Sequence, residues 1–277
     1  MSSKGFLIFA QGSEYVRQAY ALALSIKLSQ SIHNSVSIIT NDVVPDKYKL
    51  VFDNIIEIPW NDESTDSEWK VENRWKLIHA SPYDETIVLD SDMIFFKDIS
   101  GTWDRLKEYD LFFANNVIDY KGRKINDVAN RKTFIENNLP SVYFALHYFK
   151  KTPTAFNFYK MLEFVVHNWQ ACYGKFTPLS YQNWVSMDVS AAISVLLLDL
   201  ESRVTNDNID FTFVHMKPNA QGWSPAPSSW VDTSNYYVTD DLELYINQFK
   251  QTGIFHYTED KFLTEQVIKF LEDKYDN

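Results

Sequence analysis

Asp90 and Asp92 stand two residues apart at the point where the apolar run 86–89 ends. In an extended chain, residues i and i+2 point to the same side. A rise of roughly 3.3 Å per residue then lets the two carboxylates converge on one cation. No other two aspartates in the chain share this spacing. Carboxylates without thiolates or clustered imidazoles favour Mg²⁺ or Mn²⁺, ions that keep coordination positions open for phosphate oxygens. Two acids at the mouth of a buried strand also repel each other unless a cation offsets them. The plainer alternative is that the pair only begins a turn.

The elements that must position this pair are legible on both sides of it. Thr86, Ile87, Val88 and Leu89 are β-formers without polar relief, which reads as a buried central strand. Ligands of open α/β sheets bind beyond the carboxyl ends of such strands. Residues 6–10 form a first buried strand, followed by Gln11-Gly12 and then Ser13 as an N-cap. Val16, Ala19, Ala23 and Ile26 lay an apolar stripe along the helix that follows. Residues 36–40, 55–58 and 110–114 are further strands, and 68–80 is helix-like and leads into the Asp90 strand. Strands alternating with helices imply βαβ units and a mixed, mainly parallel sheet flanked by helices.

Beyond this half, residues 119–138 read as a polar surface excursion and 142–149 as a strand. Helices are expected over 155–169 and 187–200, and a strand over 211–215. A proline-rich loop with Gly222-Trp223 follows, then an amphipathic helix over 242–249 and a short apolar run at 253–257. Without repeats, low-complexity tracts or a linker, the expectation is a single α/β domain over residues 1–277.

A chain of 277 residues with 45% hydrophobic content can bury a full core. Its net charge of −11 gives no electrostatic footprint for nucleic acid or an anionic membrane. Cys172 is the only cysteine, so neither an intrachain disulfide nor a Cys-rich zinc site can form, and a reducing cytoplasm suits the protein. The few apolar residues after Lys4 are too short for a secretory signal, and the apolar stretch 189–198 falls well short of the ~20 residues that span a bilayer. With 20 Phe, 16 Tyr and 8 Trp, rings must supply much of the core, and exposed Trp and Tyr faces would be available to stack on sugars or bases.

Asn73-Arg74-Trp75-Lys76-Leu77, then Ser81-Pro82-Tyr83-Asp84-Glu85, then the Asp90-Ser91-Asp92 strand, then Lys97-Asp98-Ile99 and Trp103 together resemble the signature of GT-A-fold glycosyltransferases. Within that group the chain is most similar to the glycogenin-like and galactosyltransferase-like family 8, and Phe255-His256-Tyr257-Thr258 resembles that family's late histidine motif. Where the family usually carries Asn-x-Gly and Asp-Gln elements, this chain has residues 143–146 and Asp188-Val189.

The resemblance implies a Rossmann-like GT-A domain, with a nucleotide-sugar half over about 1–115 and an acceptor half over about 116–277. It implies a Mn²⁺ or Mg²⁺ ion held by Asp90, Asp92 and His256, with Asp90 and Ser91 also touching the donor. His215 is a rival for the third metal position; His215 and Lys217 otherwise fall to the donor or acceptor pocket, Lys217 as a point charge on phosphate. Arg74 takes the place of the family's basic residue facing the donor. Ala10, Gln11 and Gly12 end the first strand, where uracil and ribose would lie, and Asp42 after the second strand is a candidate nucleoside contact. Asp188 is the candidate acid beside the transferred sugar and, with Asp92, the candidate catalytic pair; its bland alternative is a helix N-cap.

The leading reading is therefore a metal-dependent transferase moving a sugar from a nucleotide diphosphate sugar, most naturally a UDP-sugar, to a hydroxyl, with retention as the family implies. Two other classes stay open. A nucleotidyltransferase or phosphoesterase also uses paired carboxylates on Mg²⁺, but would be expected to show a Gly-rich phosphate loop where Gln11-Gly12-Ser13 stands. A non-catalytic sugar-binding protein would need the aromatics and not the metal. Glycans, lipids, protein side chains and hydroxymethylated viral DNA bases are all compatible acceptors.

Overall fold

The computed structural model describes residues 3–64, 70–126, 128–216 and 229–276. Its strands, in chain order, are Lys4–Phe9 (β1), Ser35–Ile39 (β2), Asn54–Ile56 (β3), Glu85–Asp90 (β4), Met93–Phe95 (β5), Leu111–Ala114 (β6), Tyr143–Lys150 (β7), Phe213–His215 (β8), Tyr236–Val238 (β9), Leu244–Ile246 (β10), Phe249–Gln251 (β11) and Ile254–His256 (β12). Six of them form the central sheet in the order β3-β2-β1-β4-β7-β6. β1 to β4 are mutually parallel, while β7 runs against both β4 and β6. This is the mixed, mainly parallel α/β sheet that the alternating pattern predicts.

Period-two alternation divides the core between the two faces of this sheet. Phe6 and Ile8 of β1 and Ile87 and Leu89 of β4 face the Ser13–Ser29 helix, while Leu7, Phe9 and Val88 face the Pro153–His167 and Met187–Leu197 helices. Because both faces are covered, these strands read as continuous apolar runs. The chain turns from β2 and β3 on one side of β1 to β4 on the other, so the strand order reverses between β1 and β4. Crevices at such reversals are where open α/β sheets take ligands.

Several local expectations are corrected. The amphipathic helix expected over 242–249 is instead the β10-β11 hairpin, turning at Asn247 with φ of 52°. Leu244 and Ile246 are buried on either side of the half-exposed Tyr245, an alternation of two that outweighs the looser helical spacing. Residues 119–138 contain a helix, Val128–Glu136. The helix-like stretch before β4 is, in its described part, a 3-10 turn at Arg74–Lys76 followed by a single α-turn at Leu77–Ala80. Gly12, not Ser13, precedes the first helix. The proline-rich loop around Gly222 and Trp223, and Lys217 with it, lie outside the described residues.

One buried polar residue gives the core a dependence on pH. His147 of β7 is fully buried, with Nδ1 2.7 Å from the Phe144 carbonyl and Nε2 2.7 Å from the Tyr159 hydroxyl. The carbonyl can only accept, so Nδ1 carries the proton and Nε2 accepts from Tyr159. Burial drives the imidazole pKa down to about 3, against the opposing pull of the Phe144 carbonyl and the Asp90 carboxylate. The unfolded chain therefore takes up a proton at His147 that the folded one refuses. Stability is expected to fall as pH drops from about 6.5 toward 3, by up to about 1.4 kcal/mol per pH unit from this residue. Urea unfolding of the parent and a His147→Phe variant between pH 7 and 5 checks this: the parent should lose stability more steeply than the variant as the pH falls.

Candidate active site at the carboxyl ends of the parallel strands

β4 ends at Asp90, Ser91 and Asp92 form a bend, and the chain then enters β5 of a separate three-stranded sheet ordered β5-β12-β8. The two carboxylates thus converge across a bend between two sheets, where the sequence pattern suggested one shared strand face. β12 runs against β5 and sets His256 opposite Met93, next to Asp92. The Tyr257 amide donates to the Asp92 carbonyl at 3.1 Å and fixes this register. His256 Nε2 lies 2.9 Å from Asp92 Oδ2 across 164 residues of chain.

Asp90, Asp92 and His256 bring one ligand atom each within 4.8 Å of one another, and they are the only such trio of acidic, His or Cys side chains among the described residues. Bonds of about 2.1 Å to an octahedral ion separate adjacent donors by about 3 Å and opposite donors by about 4.2 Å, so this trio is already close to a coordination set. Two carboxylate oxygens and one imidazole suit Mn²⁺ or Mg²⁺ and leave positions for further oxygens. His215 lies one strand further from Asp92: it pairs with His256 across β8 and β12, and the rings stack at 4.7 Å. Its place is beside the trio rather than in it.

Arg74 Nη1 donates to Asp90 Oδ1 at 2.5 Å, and its guanidinium lies 5.1 Å from the Phe9 ring centroid. Burial pushes the Asp90 carboxyl up, but the Arg74 cation and His256 outweigh it and hold the group below the usual carboxylate range. Asp90 therefore stays ionised, and the Arg74 bond to one oxygen leaves the other to face a cation.

The residues after β1 are tied into the scaffold. Ala10 is buried and its amide donates to the Ile39 carbonyl at 3.0 Å. Gln11 is buried, donating to Asp62 at 2.8 Å and accepting from Asn73 at 3.0 Å. Lys76, fully buried, donates to Asn73 Oδ1 at 2.8 Å. Gly12 has φ of +108°, a region that glycine adopts without strain, and its amide donates to Asp42 at 2.5 Å. Asp42 thereby clamps the turn after β2 to the turn after β1. Ser91 is buried and donates to Gln18 of the first helix at 3.0 Å.

Asp188 stands apart from the trio. It occupies the first turn of the Met187–Leu197 helix, whose N-cap is Ser186 and not Asp188. One of its oxygens takes the Phe144 amide at 2.8 Å and the other takes Arg131 at 2.8 Å. The Arg131 guanidinium is buried between the Phe134 and Tyr143 rings, with centroids at 3.4 and 3.9 Å.

Residues that sequence reasoning passed over complete the neighbourhood. Asp260 accepts from Gln18 at 2.6 Å, and burial, reinforced by the negative charges of Glu14 and Asp92, holds its carboxyl above the ordinary value. Burial, with Asp260 and Asp92 nearby, also raises the Tyr15 hydroxyl. An acid four residues beyond the late histidine was the available signal for Asp260. Nothing local marked Gln18, Asp62 or Arg131.

A mixed, mainly parallel central sheet flanked by helices is the architecture this chain shares with glycosyltransferases of the GT-A fold. Among solved structures, the galactosyltransferase LgtC in complex with donor and acceptor sugar analogs matches this chain with a TM-score of 0.54 at 13% identity, over 97% of this chain and 95% of its own. An active-site mutant of LgtC matches with a TM-score of 0.52 at 14% identity, over 97% and 94%. Mouse xyloside xylosyltransferase 1 in its apo form gives 0.48 at 8% identity, over 74% and 84%. At these identities the likeness is one of fold. No protein-family model and no curated protein matches the sequence.

Proposed function

We propose that this protein is a glycosyltransferase of the family 8 type that moves a sugar from a nucleotide diphosphate sugar, a UDP-sugar, to an acceptor hydroxyl with retention of configuration. The observation that carries the reading is the convergence of Asp90, Asp92 and His256 at the strand-order reversal, on a fold shared with a galactosyltransferase. A bound Mn²⁺ or Mg²⁺ ion would supply Lewis-acid stabilisation of the departing pyrophosphate. The chain's own groups do the rest: Arg74 orients Asp90, Tyr257 fixes Asp92, and the Ala10-Gln11-Gly12 turn and Asp42 frame the nucleoside.

The nucleotidyltransferase reading loses support at Gly12. Its amide already donates to the Asp42 carboxylate, so an acid stands at the helix start where a phosphate loop would present free N–H groups. The proposed protein is one continuous GT-A domain, with its donor half over about 1–115 and its acceptor half over about 116–277. It would work in the cytoplasm, where Cys172 stays a thiol.

The test is thermal. UDP-sugars should raise the melting point when Mn²⁺ is present and leave it unmoved in EDTA, because pyrophosphate and carboxylates carry the same sign and a ligand stabilises by mass action only if it binds the native state. Equal stabilisation in EDTA would point to a metal-independent transferase or a plain sugar binder.

The two histidines separate in a direct titration with UDP. His256→Ala should weaken UDP binding in Mn²⁺ by roughly tenfold or more, the scale of losses at metal-supporting positions, while His215→Ala does less. The reverse order by titration calorimetry would transfer the ligand role to His215.

A further inference from the structure

A second feature lies where the segment after β3 packs toward the Pro153–His167 helix. Trp60 follows this edge strand with φ of 62°, a region that bulky side chains rarely enter, and it is 67% exposed. Strain and exposure of a large ring in one residue is a combination that folding alone does not favour. The indole is held in place by stacking on Trp75 at 5.5 Å and by the edge of His79 at 5.0 Å. His79 in turn meets Phe156, 40% exposed, at 5.8 Å.

These rings line a groove of about 430 Å³, within the size range of small-ligand sites. Its far wall is the Pro153–His167 helix, where Phe156, Lys160 and Glu163 recur at spacings of four and three and so share one face. Asn157 adds an amide. The rim therefore offers both donors and acceptors, its Lys and Glu charges cancel, and burial keeps His79 deprotonated near neutral pH. Neutral ligands with one apolar C–H face and a ring of hydroxyls match these walls; ionic ligands do not. Arg74 and Trp75 are neighbours on a 3-10 turn and point about 120° apart, so Arg74 reaches Asp90 while Trp75 backs this groove.

We propose that Trp60, His79 and Phe156 form a second carbohydrate-binding site, separate from the Asp90 cluster, that stacks a neutral pyranose on the exposed indole of Trp60. The axial C–H groups of the sugar meet the electron-rich face of the ring, and Asn157, Lys160 and Glu163 reach its hydroxyls.

Saturation-transfer NMR with cellobiose and with maltose, in EDTA and without nucleotide, tests the site independently of the metal. Saturation should reach axial ring protons of at least one disaccharide in the wild-type protein and equally in Asp92→Asn. Trp60→Ala should weaken that binding by about tenfold while the metal-dependent response to UDP is unchanged. Phe156→Ala should weaken it in the same direction, which keeps the test in force should Trp60→Ala fail to fold. No transfer from either sugar, undiminished transfer in the folded variants, or loss in Asp92→Asn would each overturn the proposal. Sugar binding through Trp60 with no metal-dependent nucleotide response would keep this site and remove the transferase reading.

Discussion

Asp92→Asn protein is expected to fold like the parent and to lose roughly a hundredfold or more of its metal-dependent sugar transfer. The side chain is 20% exposed, and His256, its hydrogen-bond partner, can donate to an amide oxygen as it does to a carboxylate, so the exchange leaves the local geometry intact. What disappears is one negative charge of the trio. Electrostatic support of a departing pyrophosphate is worth several kcal/mol, and each ~1.4 kcal/mol is tenfold in rate. Release of nucleoside diphosphate from UDP-sugars, followed in Mn²⁺ with the melting point recorded alongside, measures both halves of the expectation. Near-parental turnover in a folded variant would sink the metal assignment. A shifted melting point would instead show that Asp92 holds β5 to β12.

Asp188→Ala is expected to destabilise the protein by about 3 kcal/mol, whatever it does to turnover. Removing the carboxylate strands the buried Arg131 guanidinium between Phe134 and Tyr143 and leaves the Phe144 amide without its acceptor. Breaking one side of a buried ion pair costs about 3–5 kcal/mol; the partial exposure of Asp188 argues for the lower end. At this chain length the melting point should fall by roughly 5–10 °C. Asp188→Asn, which keeps an acceptor for the Phe144 amide, should fall by less. A full loss of transfer with an unmoved melting point would place Asp188 at the transferred sugar and make its ties to Arg131 incidental; a fall in both leaves it as the brace between the Met187–Leu197 helix and β7.

The long, locally patterned elements are legible in the sequence. The buried strands around Phe6, Val36 and Thr86 announce themselves because strands covered on both faces are mostly apolar, and the helices expected over 155–169 and 187–200 form at Pro153–His167 and Met187–Leu197. Two carboxylates at a strand end are likewise local, so Asp90 and Asp92 stood out without any knowledge of the fold. The short pieces of the C-terminal region did not. Leu244–Ile246 is a strand because β9 and β11 pair with it on its two sides, and eight residues of mixed pattern do not carry that information alone.

The partners of the carboxylates belong to tertiary structure. Arg74 reaches Asp90 because the turn before β4 folds back over Phe9, and His256 reaches Asp92 because β12 pairs with β5, 164 residues separating the two side chains along the chain. The Asp42 clamp on Gly12 and the Arg131 brace on Asp188 are of the same kind. Spacing along a sequence reports the faces of single helices and strands. Which ends of which strands meet is decided by burial of both sheet faces at once, and that is settled only when the whole chain packs.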